Sequence, residues 1–252
     1  MKCFIAFLAL SISLYLAPAS AESPSDILLK SDASRTISDM SMEVRLTSFD
    51  ATQVSDQSTL WGVMKLGKDH NRLLLSFREP ASKHGQKFLV DGDAVYVLFE
   101  HTTNPIRVSP LEVLTGQASD GDVVRTFAAD YAVAAMNQTT LDGKPALRFD
   151  LGAKLGANVS SYAKVALWID PEDLRLLYAE FYAASGTLLK KAYYRDYRSV
   201  LGKVFPCTID IWAGDNAQKH TTMIFAKIGW QFLPDTAFRR SSLAFWNPEA
   251  PR

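Results

Sequence analysis

The hydrophobic pattern of the chain changes period once, near Met40. Ahead of that point, Ser25-Asp26-Ile27-Leu28-Leu29 follows Pro24. Ser25 or Asp26 is placed to cap a helix running to about Ser38, with Ile27, Leu28, Ala33 and Ile37 on its apolar side. From Met40 to Phe232 most of the chain alternates with period two, which predicts strands with distinct faces. The clearest case is Arg72 to Arg78, where Leu73, Leu75 and Phe77 share one side and Arg72, Ser76 and Arg78 the other. The same apolar spacing recurs at Val165, Leu167 and Ile169, and at Leu177, Ala179 and Phe181. It returns at Phe205, Cys207, Ile209 and Ile211, and at Met223 and Phe225.

Turn chemistry separates these runs at Gly67-Lys68-Asp69, Asp91-Gly92-Asp93, Asp142-Gly143, Asp170-Pro171, Ser185-Gly186 and Leu201-Gly202. Asp-Gly pairs suit tight hairpins because both residues tolerate positive φ. The pattern predicts about ten or eleven strands, mostly antiparallel. Pro110 to Ala129 breaks the alternation and reads as one or two short helices, interrupted by Gly116 and Gly121. Pro234 to Leu243 reads as a short C-terminal helix with Asp235 near its start.

Neither a repeat nor a separating linker is present, so one domain over 22–252 is expected. Its class is mainly β (α+β), an antiparallel sheet with short helices against it. The second sheet face also carries bulk, at Trp61, Leu74, Tyr96, Leu98, Trp168, Tyr178, Tyr182, Tyr194 and Trp212. Two arrangements account for this: a sandwich or helix-covered sheet, and a curved sheet around an apolar hollow.

Residues 1–21, MKCFIAFLALSISLYLAPASA, place Lys2 before an apolar run that is short for a bilayer core roughly 30 Å thick. Ala19 and Ala21 occupy the small-residue positions before a signal-peptidase cut, so cleavage after Ala21 and export to the periplasm are expected. Cys3 leaves with that leader. Cys207 then stands alone on an apolar strand face, where it reads as a small buried hydrophobe.

Composition narrows the function. The 252 residues are 48% hydrophobic and 21% charged, with 27 basic and 27 acidic side chains and a pI near 6.9. That balance gives no bulk attraction to nucleic acid. No G-x-S-x-G elbow, P-loop or G-x-G-x-x-G is present. His70, His84, His101 and His220 are dispersed, without metal-ligand spacing, and read as solvated turn residues. Asp91-Gly-Asp93 reads as a hairpin turn, Asp120-Gly-Asp122 as a helix cap, and Glu172-Asp173 as a solvated turn. The expectation is a non-enzyme with no catalytic residue, metal or cofactor.

The chain resembles the outer-membrane lipoprotein-sorting proteins, the LolA-like periplasmic carriers, over roughly Ile27 to Phe245. The resemblance rests on Phe77-Arg-Glu-Pro80, Lys83-His-Gly-Gln86, Phe88-Leu-Val90, Ile106-Arg-Val-Ser-Pro110 and Gly116-Gln-Ala-Ser-Asp-Gly-Asp122. It continues through Asp130-Tyr131, Leu141-Asp-Gly-Lys144, Leu167-Trp-Ile-Asp170, Arg195-Asp-Tyr197 and Val204-Phe-Pro206. It implies an incomplete antiparallel barrel wrapped around helices, with a cavity for acyl chains of lipids or lipoproteins, and no catalysis. Leu75, Phe77, Leu167 and Phe181, near strand middles on the repeated apolar face, are the expected wall positions. The segment 110–129 is the expected lid, hinged at its glycines. An inner-membrane exporter is a candidate partner, nucleic acid is not, and a monomer is expected. The alternative reading is an interaction module that docks to an envelope exporter or assembly complex, with an exposed edge strand as the means.

Overall fold

The computed structural model describes residues 22–67, 71–92, 94–109, 113–119, 126–154 and 162–248. The expected leader and cleavage site, residues 1–21, lie outside them, as do His70, Asp93 and Asp120-Gly121-Asp122. Helix α1 (Pro24–Arg35) precedes strands β1 (Met40–Asp50), β2 (Gln53–Lys65), β3 (Arg72–Glu79), β4 (Lys87–Asp91), β5 (Ala94–Leu98) and β6 (Ile106–Val108). A small hairpin, β7 (Val113–Thr115) and β8 (Ala118–Ser119), and a one-turn helix α2 (Phe127–Asp130) follow. The rest is strand: β9 (Tyr131–Leu141), β10 (Lys144–Ala153), β11 (Lys164–Ile169), β12 (Leu176–Tyr182), β13 (Leu188–Val200), β14 (Lys203–Ala213) and β15 (Lys219–Trp230).

Thirteen of these strands form one open antiparallel sheet in the order β6-β5-β4-β3-β2-β1-β15-β14-β13-β12-β11-β10-β9. It is two sequential meanders sewn together by a single ladder between β1 and β15, from Met40↔Trp230 to Asp50↔Lys219. The turns behave as their chemistry requires. Asp142 and Gly143 both take positive φ, as do Leu201 and Gly202, and each pair closes a two-residue hairpin.

Several expectations need correction. Fifteen strands are described rather than ten or eleven, because β6, β7 and β8 are two or three residues long and too short to display a period. Among its described residues, the interruption at 110–129 holds the β7–β8 hairpin and the start of a one-turn helix, Phe127–Asp130; 110–112 and 120–125 lie outside the described residues. The C-terminal stretch is two 3-10 turns, Asp235–Phe238 and Arg240–Ser242, not one helix. Helix α1 is capped by Ser23, whose Oγ accepts from the Asp26 N–H at 3.2 Å, with Pro24 at its first position. Its inward side is Leu28, Ser31 and Asp32, while Ala33 faces solvent.

A flat sheet of thirteen strands would be about 60 Å wide. Twist coils it instead, so residues from β1 to β5 and from β9 to β15 join one continuous core on the inner face. The outer face is treated differently on its two halves. Over β2 to β5, Phe238, Leu243 and Trp246 from the C-terminal segment cover Val63, Leu74, Leu89 and Leu98. Lys87 Nζ holds that segment by donating to the Trp246 carbonyl at 2.5 Å, and Arg240 by donating to the Pro105 carbonyl at 2.9 Å.

The other half of the outer face carries a cross-strand ladder instead. The Arg148 guanidinium lies 5.0 Å from the Trp168 ring, which sits 4.9 Å from Tyr178, itself 4.6 Å from Tyr193. Tyr193 takes the place expected of Tyr194, which turns inward against the main core. Leu176 likewise replaces Leu177 on the inner face, because a bulge opposite Trp168 and Ile169 shifts the parity of β12. His220 is also not a free turn residue. It is stacked between Phe49 (4.5 Å) and Trp212 (4.2 Å). The two sheet edges differ as well: β6 has three residues, whereas β9 has eleven and no charged side chain.

Candidate functional site

The inner face and its cover are where the fold concentrates unusual features. All four sequence-selected positions lie on it, each almost fully buried: Leu75, Phe77, Leu167 and Phe181. They form two groups rather than one. Leu75 and Phe77 sit on β3, where Phe77 meets Phe88 at 5.8 Å. Leu167 and Phe181 sit on β11 and β12, on the far side of the β1–β15 ladder. The shared core joins the groups, but only Phe181 has ring contact with the cover described here.

That contact is an aromatic cluster that alternation does not reveal. Phe127 of α2 lies 6.3 Å from Phe181 and 6.1 Å from Tyr131, and Tyr162 lies 4.7 Å from Phe181. The Tyr131 hydroxyl donates to the Tyr162 carbonyl at 3.1 Å, so the cluster is tied by its own backbone. Phe127 and Tyr162 come from irregular segments, where periodicity carries no signal.

The cover is thin and its fastenings are polar. Asp32 on α1 is 4% exposed. One carboxylate oxygen accepts from Arg35 at 2.5 Å, and the other accepts from the Ala128 N–H at 2.7 Å, which couples α1 to α2. Ser31 donates to the Leu174 carbonyl at 2.8 Å, and Lys203 donates to the Ala33 carbonyl at 3.0 Å. Helix α1 is therefore pinned to the β11–β12 turn and to β14 by single hydrogen bonds.

The β7–β8 hairpin is seated by a buried polar pair in the sheet. Ser48 on β1 and Thr221 on β15 are hydrogen-bonded at 2.9 Å, and Thr221 Oγ1 also accepts from the Gln117 N–H at 2.7 Å. Gly116 at the hairpin turn has φ +56, and a Cβ there would stand 2.0 Å from Ser48 Oγ and 2.4 Å from Thr221 Oγ1. The expected hinge is thus a docking point. Its signal was present in the sequence: Ser48 and Thr221 are polar residues in phase with Met42-Val44-Leu46 and with Met223-Phe225.

The chemistry of this region is that of hydrocarbon. Burial pushes the Cys207 thiol up, and the side chain lies in the main core beside Phe205 and Ile209, as its alternation predicts. Burial also raises the Tyr197 phenol, whose hydroxyl donates to the Leu176 carbonyl. On the outer face Glu180 accepts from Tyr178 at 2.8 Å and from Tyr182 at 2.5 Å. Burial first, and then that carboxylate, push Tyr182 up to about 12 and Tyr178 higher still. Among the described residues, no three His, Cys, Asp or Glu side chains gather as a metal site, and no helix is long and apolar enough to cross a membrane.

A family model described only as "Uncharacterized protein" matches residues 69–244. A LolA superfamily protein from Nitrosomonas europaea is 27% identical, superposes with a TM-score of 0.76, and is matched over 87% of this chain and 98% of its own. The chain belongs to the family of that model, and its fold is LolA-like. Two further solved structures share the fold. A DUF1329 family protein from Desulfovibrio piger is 19% identical with a TM-score of 0.75, over 87% of this chain and 97% of that one. A domain from Vibrio parahaemolyticus, named for outer membrane lipoprotein sorting, is 18% identical with the same TM-score and coverage. No curated protein matches the chain.

Proposed function

We propose that the protein is a non-catalytic periplasmic carrier that takes acyl chains of lipids or lipid-modified proteins between the inner sheet face and its cover. One observation carries this reading. Among the described residues, an apolar face spanning nearly the whole sheet is covered by a twelve-residue helix, a single helical turn and a two-strand hairpin, held by a few polar contacts and by burial of Leu28, Phe127 and Ala118. Such a cover can lift without breaking the sheet. Each CH₂ group taken from water is worth about 0.8 kcal/mol, so an acyl chain supplies the driving force without covalent chemistry. Leu75, Phe77, Leu167 and Phe181 are the proposed wall residues. The precursor is cut after Ala21, so the mature chain begins Glu22-Ser23-Pro24.

Mass spectrometry of organic extracts from natively purified protein tests the reading, together with binding of a fluorescent fatty acid. Leu167→Trp sharpens it. Trp fills a space that cargo would use, so the variant keeps its denaturant stability and loses fatty-acid uptake. In a solid core the same change overpacks and costs about 1–3 kcal/mol. That loss, with no lipid in the extract and no binding by the parent protein, refutes the carrier. The alternative, docking to an envelope complex, is favoured by the long uncharged edge of β9. A stable protein partner copurifying with a lipid-free core would support it instead.

A further inference from the structure

We infer that one end of the half-barrel, built from the tail of β15 and the turns beside it, docks on the surface of a phospholipid bilayer. The inference stands on the outer surface and does not require the carrier reading. Register fixes which groups share this end. Trp230 is paired with Met40 at the start of β1, Lys65 with Arg72 at the β2–β3 connection, and Val200 with Lys203 across the Leu201-Gly202 turn. Lys203 reaches the Ala33 carbonyl near the end of α1, so the helix terminus lies at the same end.

Four large apolar side chains are left in solvent there: Trp230 at 66%, Phe232 at 57%, Leu201 at 48% and Val204 at 46%. The fold has the means to bury aromatic residues, since the same C-terminal segment buries Phe238 and Trp246 a few residues later. Two adjacent rings left bare at a strand end suit the bilayer interface, where an amphipathic ring keeps its polar edge in the headgroup layer.

The polar neighbours match. Lys65 Nζ stands 4.6 Å from the Phe232 ring centre and, with Arg72, binds Asp235. Lys227 and Arg45 both bind Glu43 at 2.6 Å. The cations nearest the exposed side chains are Lys65, Arg72 and Lys203, against Asp39 and Asp235. Farther along the same end, Asp91, the Asp196–Arg198 pair and the β11–β12 turn, where Asp170, Glu172 and Asp173 surround Arg175, cancel that local excess among the described residues. Rings therefore supply the attraction, and the three nearest cations only a local bias toward anionic headgroups. The ladder between β14 and β15 also stops at Thr208↔Ile224, short of this end, so these two strands part before they reach the rim.

The test is flotation of the mature protein with vesicles of phosphatidylethanolamine and phosphatidylglycerol, with Trp230→Ser/Phe232→Ser as the key variant. These side chains are exposed, so its melting temperature stays that of the parent. Its vesicle affinity falls at least about tenfold, while raised salt weakens the parent only modestly. Phe245→Ser controls for apolarity alone: Phe245 is 87% exposed and stands between Ala244 and Trp246, whose carbonyls accept from Lys87 at the start of β4, at the opposite end of the sheet. A parent that does not float, a double variant that floats as well as the parent, or an equal loss from Phe245→Ser overturns the inference. Fatty-acid uptake from free solution is measured in parallel. The double variant retains it if both ideas hold; absent uptake in a parent that still floats removes the carrier reading and leaves membrane docking intact.

Discussion

Replacing Gly116 with Ala separates a detachable cover from a fixed one. The new methyl carbon would need a left-handed backbone, which costs a non-glycine residue about 1 kcal/mol or more. It would also stand 2.0 Å from Ser48 Oγ, 2.4 Å from Thr221 Oγ1 and 2.7 Å from Ser48 Cβ. Overlap of that kind in a packed site costs about 1–3 kcal/mol, and displacing the turn forfeits the Gln117–Thr221 hydrogen bond, about 1 kcal/mol. A hairpin forced to stay in place would thus lose roughly 3–5 kcal/mol. Among the described side chains, that same hydrogen bond and burial of the small Ala118 hold it there. A cover built to detach is docked by less than the clash, so the hairpin lifts and global stability falls only by what docking contributed, less than the full ~3–5 kcal/mol. Hydrogen exchange followed by mass spectrometry should show residues 113–119 losing protection while β1 and β15 keep theirs, with a small shift in the denaturant midpoint. Unchanged exchange at the hairpin, or a global loss of the full 3–5 kcal/mol, would refute the reasoning.

Asp32→Ala leaves the Arg35 guanidinium and the Ala128 N–H without their shared acceptor, which should cost about 3 kcal/mol in a urea melt; no loss would mean that α1 and α2 are not coupled through this carboxylate. Spectrophotometric titration should find Tyr178, Tyr182 and Tyr197 protonated well past pH 10 in the folded protein. Because their folded pKa values lie above the unfolded one, stability is full below about pH 10 and declines above it as the unfolded phenols ionise; phenols that ionise near pH 10 in the folded protein, or stability unchanged up to pH 12, would contradict the burial. Cys207 should react with thiol reagents only as fast as the core opens, since burial both hides the sulfur and disfavours its thiolate. Rapid stoichiometric labelling of the native protein would place it elsewhere.

Alternation carried most of the strands and the inner face, including the Leu73-Leu75-Phe77 and Val165-Leu167-Ile169 rows, because a period of two is imposed by pleat geometry. It failed where geometry departs from that period. The bulge in β12 moved Leu176 into the core in place of Leu177, and the parity of β13 put Tyr193, not Tyr194, on the outer face. It also had no access to pairing at long range, so the ladder between β1 and β15 left no mark on either strand. The candidate site was legible as an apolar wall but not as a covered one. Phe127 comes from a single helical turn and Tyr162 from irregular chain, and nothing in the sequence pairs Asp32 with Ala128, 96 residues away. The Ser48 and Thr221 pair was readable in principle, because a hydroxyl in phase with buried Met, Val and Phe must find a partner.

The seam between the two meanders governs how the chain must fold. Every other contact between strands of the large sheet joins neighbours in sequence, which close quickly because the loops are short. Only β1 must wait, since its second partner is the last strand to be synthesised. Until β15 arrives, β1 is an eleven-residue edge with Met42, Val44 and Leu46 uncovered, and it cannot share a core with the later meander. The slow step is therefore a zippering of two preformed halves along one ladder, and mutations in β1 or β15 should slow folding while those at the outer edges, β6 and β9, mainly speed unfolding.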